Sequence, residues 1–201
     1  MSKIKLTKGA LRLQRDNLER FRHYLPTLQL KKQQLQKKIV EARGVLDQKS
    51  TALKSKQQDI DKWSGLLADS RVDISEWVKP IEIITGISNV AGANLPVFES
   101  VKFQEAEYDL FLTPFWIDRG IEELRDLVIL IVEMDIIKKQ VSILTQELRI
   151  TTQRVNLFEK VKIPECIENI RVIRIYLGDQ QANAVGISKV AKKKIELVEA
   201  V

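Results

Sequence analysis

Apolar residues recur every seven positions along the first third of the chain. Leu11, Leu18, Leu25, Ile39, Leu46, Leu53, Ile60 and Leu67 share one register, which only Lys32 interrupts. The companion register, three residues on, holds Gln14, Phe21, Leu28, Leu35, Ala42, Lys49, Lys56 and Trp63, apolar at first and then largely polar. Two registers of this kind form the seam of a coiled coil. One helix over this span would extend ~85 Å at ~1.5 Å per residue, a length that suits a rod. A second seam follows later, with Leu127, Met134, Val141, Leu148 and Val155 in one register and Leu130, Ile137, Leu144, Thr151 and Phe158 in the other. A helix with one apolar stripe cannot hide that stripe alone. The two seams therefore predict a mainly α fold, a long antiparallel two-helix coiled coil made by the N- and C-terminal helices, with the dissimilar middle as the far turn.

Departures from the repeat mark local features. Pro26 lies inside the first seam, where its missing N–H and its ring predict a kink or a short break. After Phe158 the stripe shifts to Ile163, Ile167, Ile170, Arg174 and Leu177, which should change the supercoil locally, and Pro164 sits at the shift. The middle breaks helical habit: Ile81, Ile83 and Ile84 lead into Thr85-Gly86, and Pro96–Phe103 forms a second β-prone run. A short hairpin is predicted over about 82–103, with Gly92 in its turn region. Pro96 belongs at an edge because it cannot donate to a ladder. Val97, Glu99, Val101 and Phe103 alternate as a half-buried strand does, but Phe98 spoils the pattern. An isolated hairpin is marginal in water, so this one should pack on the helices or on a partner. Thr113-Pro114 is read as the cap and first turn of the second long helix. The expected organisation is a helix over 1–70, a turn region with the hairpin over 71–112, and a helix with a basic tail over 113–201.

Composition fits an elongated helical protein: 201 residues, 30% charged, with eight glycines and five prolines. The longest apolar run, Leu127–Val132, is closed by Glu133 and Asp135, far short of the ~20 residues of a membrane span. The start carries Lys3, Lys5 and Lys8 among Ile4 and Leu6 and lacks the apolar stretch of a signal peptide, so a cytoplasmic location is expected. The net charge of +6 hides an asymmetry. Residues 1–62 carry 16 basic and 6 acidic side chains, 63–126 carry 5 and 12, and 127–201 carry 12 and 9. In an antiparallel pair this gives a basic end and an acidic end, suited to different partners.

Chemistry is marked mostly by what the sequence lacks. His23 is the only histidine, so neither a His-based triad nor the Glu-x-x-His pairs of a di-iron bundle can be assembled. Glu122, Glu123, Glu133 and Asp135 read as a solvated helix face, not a metal site. No phosphate-cradling glycine loop is present. The single cysteine, Cys166, reads as an inert helix residue. Trp63 reads as core, and Trp77 and Trp116 as packing where hairpin and helices meet or as partner anchors. The basic run Lys189, Lys192, Lys193 and Lys194 has no aromatic platform beside it that would favour nucleic acid. No catalytic residue, cofactor or metal is expected, and enzyme is the weakest reading.

The run Thr152-Gln153-Arg154-Val155-Asn156-Leu157-Phe158-Glu159, followed by Ile163-Pro164, closely resembles the C-terminal signature of the D subunits of V-type and A-type rotary ATPases. Leu6-Thr7-Lys8 with Leu11, Leu13 and Leu18 resembles that family's opening, and Asn89–Gly92 with Leu95-Pro96 its central hairpin. The likeness covers nearly the whole chain in order, departing at Pro26 and in a small-residue-rich tail over 178–201. The resemblance implies a non-catalytic rotor component of the central stalk. Such a component is inserted into a hexamer of A and B subunits, bound on its side by the F subunit, and joined to the membrane ring by a linking C or d subunit. It passes torque between ATP hydrolysis or synthesis and proton or sodium translocation. On that reading Lys3, Lys5, Lys8, Arg12, Arg15, Lys189, Lys192, Lys193 and Lys194 face the hexamer, and the F subunit covers the polar seam near Lys49 and Lys56. A coiled-coil spacer or tether would share the seams without the Gln153–Pro164 signature. A basic nucleic-acid-binding hairpin would show salt-sensitive affinity. The gamma subunit of F-type ATPases would need a larger domain between its helices than residues 63–126 allow.

Overall fold

The structure, a computed structural model, describes residues 5–68, 74–108 and 113–199. In chain order it contains α1 (Lys8–Asp61), a 3-10 turn (Ser64–Ala68), the short α2 (Ser75–Val78), β1 (Pro80–Val90), β2 (Ala93–Phe103), α3 (Ile117–Leu157), a π-helical turn (Phe158–Lys162) and α4 (Ile163–Glu199). The fold is mainly α, with long N- and C-terminal helices and one antiparallel hairpin between them, as the seams predict. The chain divides into two compact units. One combines residues up to Leu30 with those from Thr151 onward, and the other is Lys31–Ile150. The boundaries expected near residues 70 and 112 fall outside the described residues, as does Lys3.

From Leu11 to Trp63 every position of the two heptad registers is buried or half-buried, including Lys32, Lys49 and Lys56. The seam fails only at its end. Leu67 is exposed, because α1 stops at Asp61 and the chain winds more tightly. Trp63 N–H donates to the Ile60 carbonyl at 3.1 Å and Leu66 N–H to Trp63 at 2.9 Å, both three residues back, which turns Leu67 off the seam. The Ser64 hydroxyl donates to the Asp61 carbonyl at 3.0 Å, satisfying one of the open C-terminal acceptors of α1.

In the Lys31–Ile150 unit, α1 and α3 run antiparallel, and the hairpin packs on them. Leu35, Ile39, Leu95 and Leu144 form one buried cluster, with Val90, Ala91, Ile143 and Leu148 against it. Leu35 and Leu144 come from opposite helices and Leu95 from β2, so one core fastens three elements. The hairpin turns at Ala91 and Gly92, both at positive φ (51° and 80°), as a two-residue turn matched to strand twist requires. Asn89 holds that turn through its side-chain oxygen, which accepts from Gly92 N–H at 3.1 Å. The ladder pairs Ile84 with Ser100 and Thr85 with Phe98, leaving Glu99 as a bulge. An inserted residue reverses the alternation, so Phe98 before it and Val101 and Phe103 after it are all half-buried. That bulge is why the strand pattern read from sequence is spoiled at Phe98. Pro96 has no ladder donor to lose at the edge, and its carbonyl accepts from Gln140 Nε2 at 2.5 Å, tying β2 to α3.

The polar half of the first seam is answered by carboxylates on α3. Lys49 pairs with Glu133 at 2.5 Å, Lys56 with Asp126 at 2.5 Å, and Lys31 with Glu147 at 3.8 Å. Glu133 is therefore a seam partner and not part of a solvated acidic face. The start of α3 also differs from expectation. Thr113-Pro114 precedes the helix, which begins at Ile117 after a turn in which Ile117 N–H donates to the Pro114 carbonyl at 3.2 Å. Ile117 and Ile121, buried, anchor the first turns instead.

In the other unit, Thr7 caps α1: its hydroxyl accepts from Ala10 N–H at 3.2 Å. The helix continues unbroken through Pro26, which is exposed and leaves the carbonyl of Arg22 without its helical donor. Phe21 of α1 packs on Phe158 with ring centroids 5.0 Å apart. The predicted stripe shift is a π turn, in which Ile163 N–H donates to the Phe158 carbonyl five residues back. Beyond it the buried stripe is Cys166, Ile170 and Ile173, with Leu177 half-buried. Of the stripe expected after Phe158, Ile163, Ile170 and Leu177 face inward as the shift requires, whereas Ile167 and Arg174 are exposed, because the companion register falls one position earlier, at Cys166 and Ile173. Cys166 fills one of the vacated inward positions, and burial pushes its thiol pKa up.

Three outcomes follow from this packing. Leu144→Ala should lower unfolding free energy by about 2–5 kcal/mol, read from urea denaturation, since it opens a cavity where three elements meet. A double-mutant cycle on Lys49 and Glu133 should give a coupling of about 0.5–1 kcal/mol that shrinks in molar salt. A raised thiol pKa keeps Cys166 protonated at neutral pH, so iodoacetamide should modify the native protein at least about tenfold more slowly than the urea-unfolded chain.

Candidate functional site

Two surface features stand out among the described residues, one in each unit. In the Lys31–Ile150 unit a cleft of about 710 Å³ lies where α1 ends and α3 begins. Trp63 and Trp116 form its wall, with ring centroids 6.3 Å apart, and Phe115 at its edge is fully exposed. Gly120 belongs there because a Cβ would press on the Trp116 ring at 3.1 Å. Lys56, Lys62 and Arg119 alternate around it with Asp59, Glu123 and Asp126, so its charge is balanced. Nearby, Arg125 staples the irregular segments. Its Nε donates to the Trp77 carbonyl at 2.9 Å, its Nη2 to the Gln104 carbonyl at 2.6 Å, and its guanidinium lies 5.3 Å from the Phe103 ring centroid. Trp77 packs at a tilt against Tyr108, whose hydroxyl donates to Asp118, and that carboxylate holds the phenol pKa above its usual value.

The other unit carries a groove of about 700 Å³ between α1 and α4. Arg15, Leu18, Glu19 and Arg22 supply one side, and Ile167, Ile170, Arg171, Arg174 and Ile175 the other. Arg15 and Arg22 are two helical turns apart on one face of α1, and Arg171 and Arg174 one turn apart on α4. Arg171 is engaged by Glu168, at 2.6 Å through Nη2. Arg15, Arg22 and Arg174 form no ion pair or hydrogen bond with another described residue.

Of the residues read from sequence as hexamer contacts, Lys5, Lys8, Arg12 and Arg15 are exposed on or just before the start of α1, and Arg15 borders the groove. Lys189, Lys192, Lys193 and Lys194 are exposed on a different stretch of α4, about 22 Å of helical rise beyond Arg174. Every described side chain from Gly178 to Ile195 is exposed, including Val185, Ile187, Val190 and Ile195. Within the signature, Val155 is buried, Ile163 half-buried, and Gln153, Arg154, Asn156, Glu159 and Pro164 are exposed. Gly92 forms the hairpin turn, and Pro96 is half-buried against α3. The sequence reading missed Arg22, Arg171 and the solvent-facing role of Arg174, which it placed in the seam. Arg15 and Arg22, seven apart, carry the only signal that pointed to them. His23 is exposed beside Tyr24. Among the described residues no group of three or more His, Cys, Asp or Glu is placed to hold a metal ion, and no helix is long and apolar enough to cross a membrane.

Residues 10–193 match the model of the family described as the D subunit of ATP synthase. The chain is 44% identical over 195 residues to the D subunit of a V-type ATP synthase from Borreliella burgdorferi, with 97% of this chain and 96% of the relative covered. It is 36% identical over 197 residues to the protein of that name from Chlamydia felis, covering 97% and 95%. To a Chlamydia trachomatis serovar L2 protein of that name it is 33% identical over 198 residues, covering 97% of each. The match spans both seams, the hairpin and the π turn, so this chain belongs to the family of ATP synthase D subunits.

Proposed function

We propose that this chain is the non-catalytic rotor shaft of a V-type or A-type ATPase, carrying torque between an A/B catalytic hexamer and a membrane ring that moves protons or sodium ions. The observation that carries the reading is the family match from residue 10 to 193, which takes in every long helix and the hairpin. The structure supplies a physical basis. A shaft must resist twist, and in the Lys31–Ile150 unit α1 and α3 are joined by an apolar cluster and by ion pairs at Lys31, Lys49 and Lys56. Sliding one helix past the other would break the pairs and open the cluster together.

On this reading the exposed stretch of α4 from Gly178 onward, with Lys189, Lys192, Lys193 and Lys194, enters the hexamer together with Lys5, Lys8, Arg12 and Arg15. The aromatic cleft at Trp63 and Trp116 faces the linking C or d subunit. The F subunit lies on the Lys31–Ile150 unit. Lys49 and Lys56 are already paired within the chain, so the surface offered to that partner on this stretch of α1 is the exposed Val40 and Val45. The chain binds no nucleotide and acts at the cytoplasmic side of the membrane as a peripheral component.

The complex reconstituted in liposomes tests the reading. Removing residues 178–201 should lower ion transport per ATP hydrolysed while the remaining helices keep their fold by circular dichroism. Equal transport per ATP from truncated and full-length complexes would count against a torque-bearing role.

A further inference from the structure

We infer that the arginine-rimmed groove of the α1–α4 unit is a docking site for an amphipathic helix of a partner protein that carries carboxylates along the edges of an aliphatic face. The inference rests on the rotor reading and specifies the chemistry of one of its contacts. The floor is aliphatic: Leu18 and Ile170 line it, and Ile167 and Ile175 stay 45% and 51% exposed. Solvating that floor is unfavourable, and four arginines rim it against one carboxylate, Glu19. Three of those guanidiniums have no partner within the described chain, whereas Arg171 is already held by Glu168. A fork of donors without an acceptor is matched by carboxylates, which accept two parallel bonds from one arginine.

Spacing selects a helix as occupant. Arg15 and Arg22 stand about 10 Å apart along α1, two helical turns, so acidic residues seven apart on a facing helix meet both. Its intervening apolar positions then settle on Leu18 and Ile170, the anchoring mode of a helix in a groove. Nucleic acid would also answer the charge, but it offers no aliphatic face to the floor, and the groove has no aromatic ring on which a base could stack.

The test is photo-crosslinking in the complex recovered through a tag on this chain, with benzoylphenylalanine replacing Ile175. The expected adduct is a helical peptide of a partner protein of the complex, with carboxylates one or two turns apart beside Leu, Ile or Val. Arg15→Glu with Arg22→Glu should cut the yield at least about tenfold, the loss of two charge-assisted contacts. Circular dichroism of that variant confirms its helices, because both sites are exposed. An adduct on a peptide without carboxylates, an adduct on nucleic acid or lipid, a yield indifferent to charge reversal, or no adduct despite co-purifying A and B subunits would each overturn the docking site and leave the rotor reading standing. Failure to recover any other ATPase component would overturn the rotor reading itself, and the docking site with it.

Discussion

The fold depends on a stripe that α1 cannot bury by itself. Over more than fifty residues it presents side chains at heptad spacing to a single side, and a helix in water gains nothing from such a stripe until something covers it. The cluster of Leu35, Ile39, Leu95 and Leu144 is where the cover is most complete, since it draws on both helices and the hairpin at once. A hairpin of two strands is too small to stand alone, so Leu95 and Ala93, both buried, make its stability conditional on the helix pair beneath. Local order at the tip of the chain's middle is thus borrowed from long-range packing.

Where the stripe turns polar, the helices change the means of attachment and keep the same partner. Lysines at seam positions keep their stems against the interface and send their ammonium groups to carboxylates across it. Such pairs add little free energy compared with leucines, but they specify register, because a shift by one turn leaves charges facing apolar neighbours. A shaft that transmits force needs a fixed register more than it needs extra stability.

Much of this was legible in the sequence because coiled coils are written in a one-dimensional code. Heptad spacing located the buried side of α1 residue by residue from Leu11 to Trp63, and β-branched residues flanking a glycine located the hairpin. Errors came where one residue is gained or the winding changes. The tightening after Asp61 displaced Leu67, the bulge at Glu99 reversed the alternation of β2, and beyond the π turn Cys166 and Ile173 took the inward places expected for Ile167 and Arg174. Periodicity can mark a break but not its geometry, since each is a local choice of backbone hydrogen bond settled by packing: three back after Asp61, a skipped ladder partner at Glu99, five back at Phe158. The groove was illegible for the same reason. Of its α4 arginines, Arg174 was placed in the stripe by a count that set the companion register one residue too late, and Arg171 was not singled out.

The π turn sets the azimuth of everything after it. Each residue turns an α-helix by about 100°, so if Phe158–Lys162 kept their five residues but took ordinary α winding, the rest of α4 would swing round by more than a quarter turn. Cys166, Ile170 and Ile173 would leave the interior, and Arg171 and Arg174 would point away from Arg15 and Arg22. The π turn therefore works as a phase setting: its winding, more than the identity of any side chain in it, decides which face of the helix the outside world meets.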